Sequence, residues 1–375
     1  MTEHVQPPAA APARYDADAL ETFCRAVFLA AGADEATAEA ATRAMMHGSR
    51  LGVDSHGVRL LGHYVATMTG GRVNPRPDLR FLTEFGAVAT LDAGDAHGAL
   101  GAYHAQRKAV ELAGRFGIGA VAIRNNSHFG PAGAFALAAA EAGCIGLAFC
   151  NSDSFMRLHE GAERFHGTNP IAIAVPVKGG NPWLFDMATS AVPYNRVQLY
   201  RSLGRPLPEG TASDPRGRNT TDPEQAEMLA PLGGEFGFKG AGLAGFVEIL
   251  SAVLTGMRLS FEILPMPGPD MSTPRGMGAF VMAIRPDAFL PQEEFESRMA
   301  RYLEALRGSQ AVPGGTVMAP GDREWAEAER RRTLGIPIDR ATMDTFARLA
   351  GTYGIPAPVP LAPPPDGPLR RHTEK

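Results

Sequence analysis

The chain has 375 residues, 45% of them hydrophobic and 20% charged, the make-up of a globular protein long enough to bury a full core. A net charge of -4 gives no electrostatic reason to expect nucleic acid or an anionic membrane as a partner. The three cysteines, Cys24, Cys144 and Cys150, form no CxxC, which predicts reduced thiols in a reducing compartment and argues against a thiol-based zinc or redox site.

Residues 1–13 are rich in proline and alanine and read as a flexible tail. They lack a basic n-region and an apolar h-region, so no secretory signal is expected. No apolar run approaches the roughly 18 residues of a membrane helix, and a cytoplasmic protein is expected. Apolar residues at Leu20, Phe23, Val27 and Leu29 predict a helix over 16–31. Asp34 is placed to N-cap a second helix running to about His47. A short polar loop follows, with Asp54-Ser55-His56-Gly57 between Gly52 and Gly57. Tyr64, Val65 and Met68 suggest a further short helix, stopped by Gly70-Gly71.

The middle reads as strand, polar loop, helix and strand, over 119–123, 124–128, 130–142 and 144–150. Short strands are expected at 171–175, 183–186 and 279–284, and helices at 243–254, 293–306, 322–332 and 340–349. Residues 355–375 form a proline-rich tail. The class is α/β with extra helices at both ends. Gly240, Gly242 and Gly245 match G-x-G-x-x-G. No strand precedes them and no βαβ unit frames them, so they read as helix-packing glycines and not as a Rossmann fingerprint. His97 and His104 are seven residues apart, which is not a metal-ligand spacing; no metal is expected.

His56 is the sharpest chemical candidate. Histidine exchanges a proton near neutral pH, as carbonyl reduction or alcohol oxidation requires. Ser55 is next to it, and Asp54 either orients it or caps the turn. His128 ends a strand-to-helix loop whose following helix, expected from Gly130, would present N–H groups to a phosphate. Asn125 and Asn126 also read as turn formers.

Several stretches together resemble the malate/L-lactate dehydrogenase family of the non-Rossmann type. They are GVDSHGVRLLGHY (52–64), NNSHFGPAGAFA (125–136), FCNSDS (149–154), HGTNPIAIAVP (166–176), FDMATSAVPYNRV (185–197), LPEGTASDPRGRNTTDP (207–223), PLGGEFGFKGAGLAGFVEILSAVLTG (231–256) and AVPGG (311–315). The relatives so implied include sulfolactate, ureidoglycolate and diketogulonate oxidoreductases and the ketimine reductases. The resemblance implies a non-Rossmann NAD(P)-binding mixed or antiparallel sheet flanked by helices, a helical N-terminal domain and a homodimer. The corresponding divisions are 14–80 for the helical domain with its DSHG loop, 81–320 for NAD(P) binding and dimerisation, 321–354 for C-terminal helices, and the two tails. The implied reaction is hydride transfer between NAD or NADP and a small 2-hydroxy or 2-oxo acid. The alternatives are an NADPH-dependent imine reductase and a non-catalytic cofactor-binding relative.

By the same resemblance, His56 is the proton donor and acceptor, with Ser55 as relay. His128 is its competitor for that role. His128, Phe129, Gly130, Ser152, Asp186, Met187, Ala188, Lys239, Pro313 and Gly314 match cofactor-lining positions, and Thr168 and Asn169 a substrate-facing segment. Two departures bear on the substrate. Many members carry arginine four residues after the histidine as a carboxylate clamp. Here that position is Leu60, and the arginine falls at Arg59, turned by about 100° on a helix. Where ketimine reductases carry aspartate, this chain has Arg196, a cation suited to an acid and not to an iminium. Ala279 and Gly315 stand where many members have histidine and glutamate, at positions that bear on the choice of NAD or NADP.

Overall fold

The computed structural model describes residues 12–362. A short strand β1 (Ala13–Tyr15) leads into α1 (Ala17–Ala30) and α2 (Glu35–Arg50). Two 3-10 turns, Asp54–His56 and Val58–Leu60, precede α3 (Leu61–Thr69). A hairpin, β2 (Arg80–Phe85) and β3 (Val88–Asp92), is followed by α4 (Gly98–Phe116), β4 (Ile118–Asn126), α5 (Gly133–Glu141) and β5 (Ile145–Cys150). Next come β6 (Met156–Arg157), β7 (Arg164–His166), β8 (Ile171–Val175), β9 (Trp183–Met187) and α6 (Tyr194–Ser202). The short strands β10 (Ala212–Ser213), β11 (Asn219–Thr220) and β12 (Met228–Leu229) lead to α7 (Phe238–Glu248), which continues as a π turn over Ile249–Val253. The chain ends with β13 (Met277–Ile284), α8 (Gln292–Arg307), α9 (Asp322–Leu334), β14 (Ile336–Ile338) and α10 (Arg340–Tyr353).

Seven strands form the main sheet in the order β2-β3-β4-β13-β5-β8-β9. Only β3 and β4 run parallel within it; the other neighbours are antiparallel. The sheet is therefore mixed and mainly antiparallel, with β3-α4-β4 as its one parallel crossover in place of the repeated crossovers of a Rossmann fold. Helices α4 and α5 cover one face around a core of Leu91, Leu112, Val121, Ile123, Phe135 and Val281. Two glycines let them sit that close. A Cβ on Gly119 would lie 2.1 Å from the Ala109 carbonyl oxygen, and one on Gly146 would lie 2.2 Å from that of Ala136.

The helical layer is built from both ends of the chain. Asp16 and Asp34 N-cap α1 and α2 through their carboxylates. Phe23, Phe28, Met45, Leu61 and Tyr64 pack with Phe346 and Leu349 of α10 and with Ile336 and Ile338 of β14. Strand β1 pairs with β14, and Leu361 N–H bonds the Arg14 carbonyl at 2.7 Å. Of the segment 1–13 expected to be loose, the last residue, Ala13, opens a strand. Residues 1–11 and 363–375 lie outside the described residues.

Gly240 of the G-x-G-x-x-G stretch lies inside α7, where a Cβ would meet the Leu232 carbonyl oxygen at 2.3 Å. That glycine serves helix packing. Among the described residues no helix is long and apolar enough to cross a membrane. Overpacking at a helix–sheet contact costs about 1–3 kcal/mol. Gly119→Ala or Gly146→Ala is therefore expected to lower stability by about that amount in urea unfolding, while Gly114→Ala, with open space at its Cβ, leaves it within about 0.5 kcal/mol.

Candidate active site

The DSHG segment is a 3-10 turn seated on the end of α2. Its main chain approaches so closely that a Cβ on Gly48 would lie 2.8 Å from the His56 carbonyl oxygen. A Cβ on Gly57 would lie 2.3 Å from Ser49 Oγ. The Ser49 hydroxyl accepts the Val58 N–H at 2.9 Å. Helix α2 thereby fixes both sides of His56.

Strand β4 brings His128 to the same place from the sheet. The His56 and His128 rings stack with centroids 5.7 Å apart and planes 25° from parallel. Ser55 Oγ lies 2.9 Å from His56 Nδ1, and Tyr64 Oη lies 2.8 Å from His128 Nδ1. Each imidazole has one nitrogen engaged by a hydroxyl, and each residue stays partly exposed. The Tyr64 ring is held edge-on against His97, centroids 4.3 Å apart. His97 N-caps α4 by accepting the Ala99 N–H. Tyr64 was not among the sequence candidates. Its signal was the helical pattern that placed it in the core, which gave no hint that its hydroxyl reaches a histidine.

Protein crowding and nearby cations disfavour protonation of these rings. Burial first, and Arg59 second, push His56 down to about 4. His128 is held well below its ordinary value by burial, then by His56, Arg275, His63 and His97. His63 is pushed down to about 4 by burial and by Arg275 and Arg72, against the pull of Asp153. Both arginines are buried. Arg275 pairs with Asp153 and donates to the Leu264 carbonyl at 2.8 Å, while Arg72 donates to the backbone of Pro265, Met266 and Asp270.

The other expected site residues fall into three groups. Gly130 takes φ 85°, and a Cβ there would lie 3.6 Å from Tyr64 Oη, the hydroxyl that reaches His128. Asp186 ends β9 with Met187 and accepts the Gly133 N–H through Oδ2 at 2.7 Å. The residue is exposed on its other side. Ser152 Oγ accepts the Thr168 N–H at 3.2 Å, and both residues are partly exposed, as are Met187 and Ala188.

A second group is interior. Phe129 is 1% exposed and packs on Phe135 at 4.7 Å. Asn169 is fully buried, donating to Glu248 at 2.8 Å and to the Ala244 carbonyl at 3.1 Å. Asn125 has φ 48° and donates to Asp92 at 2.9 Å, and Asn126 is buried against the Gly98 carbonyl. These asparagines hold turns.

A third group is exposed, and of its members Arg59 has a charge that reaches His56. Lys239 starts α7 over the Phe236 ring, 5.1 Å away. Arg196 lies on the first turn of α6. Pro313 and Gly314 lie on the exposed loop before α9. Arg59 points outward while Leu60 packs on the helical core.

Two sequence expectations change. The helix after His128 begins at Gly133, not Gly130, and its first N–H is taken by Asp186. Pro131 supplies no N–H, so this terminus is not a free anion site. Asp54 makes no direct bond to the His56 ring either, because both its oxygens bind Arg331, at 2.5 and 2.8 Å. Among the described residues no group of three or more His, Cys, Asp or Glu is placed to hold a metal ion.

The chain matches known proteins over nearly its whole length. Residues 15–347 match the family described as malate/L-lactate dehydrogenase. A malate dehydrogenase of Pyrococcus abyssi is 35% identical, over 91% of this chain and 95% of its own. The crystal structure of malate dehydrogenase from Entamoeba histolytica superposes with a TM-score of 0.87 at 28% identity, covering 93% of this chain and 100% of that one. A delta1-piperideine-2-carboxylate reductase from Pseudomonas syringae pvar. tomato gives a TM-score of 0.79 at 28% identity, over 90% and 99%.

The depressed histidines make stability acid-sensitive. Their folded pKa values lie below the unfolded value near 6.5, so between about pH 6.5 and 4 the unfolded chain binds more protons than the folded one. Stability is then full above about pH 6.5 and falls as the pH drops through that window. The expected outcome is a midpoint of thermal unfolding that declines steadily from pH 7 to 4.5; a flat midpoint would show these imidazoles to be charged or exposed.

Proposed function

The chain belongs to the malate/L-lactate dehydrogenase family, and we propose that its substrate is a small 2-hydroxy acid, or the matching 2-oxo acid, with His56 as the group that takes and returns the proton. It is an NAD(P)-dependent dehydrogenase acting on a CH–OH group. The observation that carries the assignment to His56 is the geometry of its ring: Nδ1 on Ser55 Oγ and His128 stacked alongside, in a residue that stays partly exposed.

NAD(P), when bound, supplies the hydride acceptor or donor. The donor set fits such a group. Asp186, an exposed residue, has one carboxylate oxygen on Gly133 N–H and the other for ribose hydroxyls or a carboxamide, Lys239 has an exposed cation for phosphate, and Ser152 and Ala188 give a partly exposed lining. The segment leading to Lys239 docks beside the DMATS stretch, with Leu232 N–H bonded to the Thr189 carbonyl at 2.9 Å. The Gly130 backbone passes beside Tyr64 Oη, the partner of His128, without a side chain of its own.

In the oxidative direction His56 works as a base. Its depressed pKa keeps it neutral at pH 7. With Nδ1–H donating to Ser55 Oγ, the Nε2 lone pair is free to take the hydroxyl proton as the carbon–oxygen double bond forms. Tyr64 is a neutral phenol, its ionisation opposed by burial. If it donates to His128 Nδ1, His128 keeps an Nε2–H to direct at a substrate oxygen. The two rings then divide base and hydrogen-bond donor between them.

The substrate carboxylate needs a cation. Leu60 is turned into the core, so the arginine clamp is not rebuilt there. Arg196 on α6 supplies an exposed guanidinium, and Thr168 a partly exposed hydroxyl. Two further readings concern setting. Leu243, Phe246, Ile249, Val253 and Leu254 expose an apolar stripe on α7 and its π turn, the kind of surface a second copy covers in a homodimer. Free, buried Cys24, Cys144 and Cys150 suit the reducing cytoplasm.

Pyruvate and oxaloacetate, each with and without methylamine, are to be assayed against NADH and NADPH. Amine-independent reduction is expected; amine-dependent consumption would favour an imine substrate. His56→Ala is expected to lower kcat by about 100-fold or more while still binding NADH; if it keeps its rate, the proton role passes to His128. Arg196→Met is expected to raise KM for the acid about tenfold or more with kcat little changed; an unchanged KM removes Arg196 from the substrate. Phe246→Glu with Ile249→Glu is expected to halve the mass seen by light scattering.

A further inference from the structure

Arg331 lies 277 positions after Asp54 in the chain, on the opposite end of the fold's sequence. Its guanidinium is nonetheless 6% exposed and fully engaged at the DSHG turn. Nη1 donates to Asp54 Oδ1 at 2.5 Å and to the Ser49 carbonyl at 2.7 Å. Nη2 donates to Asp54 Oδ2 at 2.8 Å, and Nε to Glu327 Oε1 at 2.5 Å. One planar fork thus grips the carboxylate at two points and the last turn of α2 at a third, while Glu327 of its own helix sets its direction.

Those contacts continue to the reactive ring. The Asp54 carbonyl accepts the Gly57 N–H at 3.1 Å, and the Val53 carbonyl accepts the His56 N–H at 2.9 Å. His56 therefore sits inside a one-turn 3-10 helix whose first residue is clamped from α9 and whose far side rests on Gly48 and Ser49. Gly52 lets α9 come this near: it has φ 83°, and a Cβ there would meet Glu327 Cγ at 2.8 Å. A one-turn 3-10 helix has little stability of its own, so its geometry is set by what holds it.

We propose that Arg331 and Asp54 are positioning residues for the proton-transfer turn: their two-point ion pair, reached from the C-terminal helix, fixes the Ser55–His56 pair in its working direction. Neither side chain touches His56, and neither takes the proton. The proposal rests on His56 being the proton-transferring group, and its test separates the two.

Asp54→Asn, Arg331→Gln, the double variant and His56→Ala are compared with the wild type, using pyruvate and oxaloacetate with NADH and NADPH. A displacement of about an ångström at a reacting group costs up to about 100-fold in rate. Each clamp variant is expected to lose about 10- to 100-fold in kcat, with KM and NADH affinity within about threefold of wild type and a larger solvent isotope effect. The double variant is expected to be no slower than the slower single one, because both singles break the same link. Independently of turnover, amide hydrogen exchange over residues 53–58 is expected to quicken about tenfold or more, with α1 unaffected. If Arg331→Gln does not fold, Asp54→Asn, at a half-exposed carboxylate, carries the comparison alone. Wild-type kcat with unchanged exchange in Asp54→Asn overturns the clamp, as does a double variant whose loss is the product of the singles. Full activity in His56→Ala overturns the reading beneath it, whatever the clamp variants do.

Discussion

The chemistry proposed for this molecule depends on a seam where the helical layer meets the end of strand β4. His56 comes from one side and His128 from the other, and the rings stack 5.7 Å apart. Two imidazoles at that distance repel each other when both are charged. The surrounding protein settles the matter by keeping them neutral, through crowding and through the cations Arg59 and Arg275. Neutral rings need partners on their inner nitrogens, and Ser55 and Tyr64 provide them. The outer edges are left for chemistry.

The seam also explains why so much of the site's support is main chain. Gly48 and Gly98 let backbone segments come within contact of the two histidine carbonyls, with a Cβ on Gly98 only 2.6 Å from that of His128, while Gly57 sits against Ser49 and Gly130 beside Tyr64. Side chains that would add charge are kept one step away. Asp54 is bound to Arg331, Asp153 to Arg275, and Asp186 to the start of α5. None of these carboxylates forms a pair with either ring, which is consistent with imidazoles that stay unprotonated until substrate arrives.

Sequence reading located the elements with strong local signals. The N-cap aspartates, the Ala-rich helix α5 and the apolar strands β4, β5, β8 and β13 match the periodicity that predicted them. It left α4 unassigned, because its buried face is mostly alanine and glycine, with Ala102, Ala105 and Ala109 all fully buried. Such residues pack closely on a sheet yet give little hydrophobic contrast. It also missed β2, whose six residues are all exposed on the sheet's edge, and the pairing of β1 with β14, which joins the two ends of the chain.

At the site, the sequence by itself determined the reactive types and their immediate neighbours. Ser55 beside His56 and Gly130 after His128 follow from adjacency, and the family resemblance was legible because motif residues are fixed by local chemistry. Tertiary structure decided which of them meet. It put Asn169 and Phe129 into the interior, turned Leu60 inward and Arg59 outward, and brought Tyr64 to His128 and Arg331 to Asp54. The physical reason is that a side chain's direction depends on how its element packs against others. A contact across 64 or 277 positions leaves no mark in the local sequence, because either partner alone would suit a solvated surface or a core just as well.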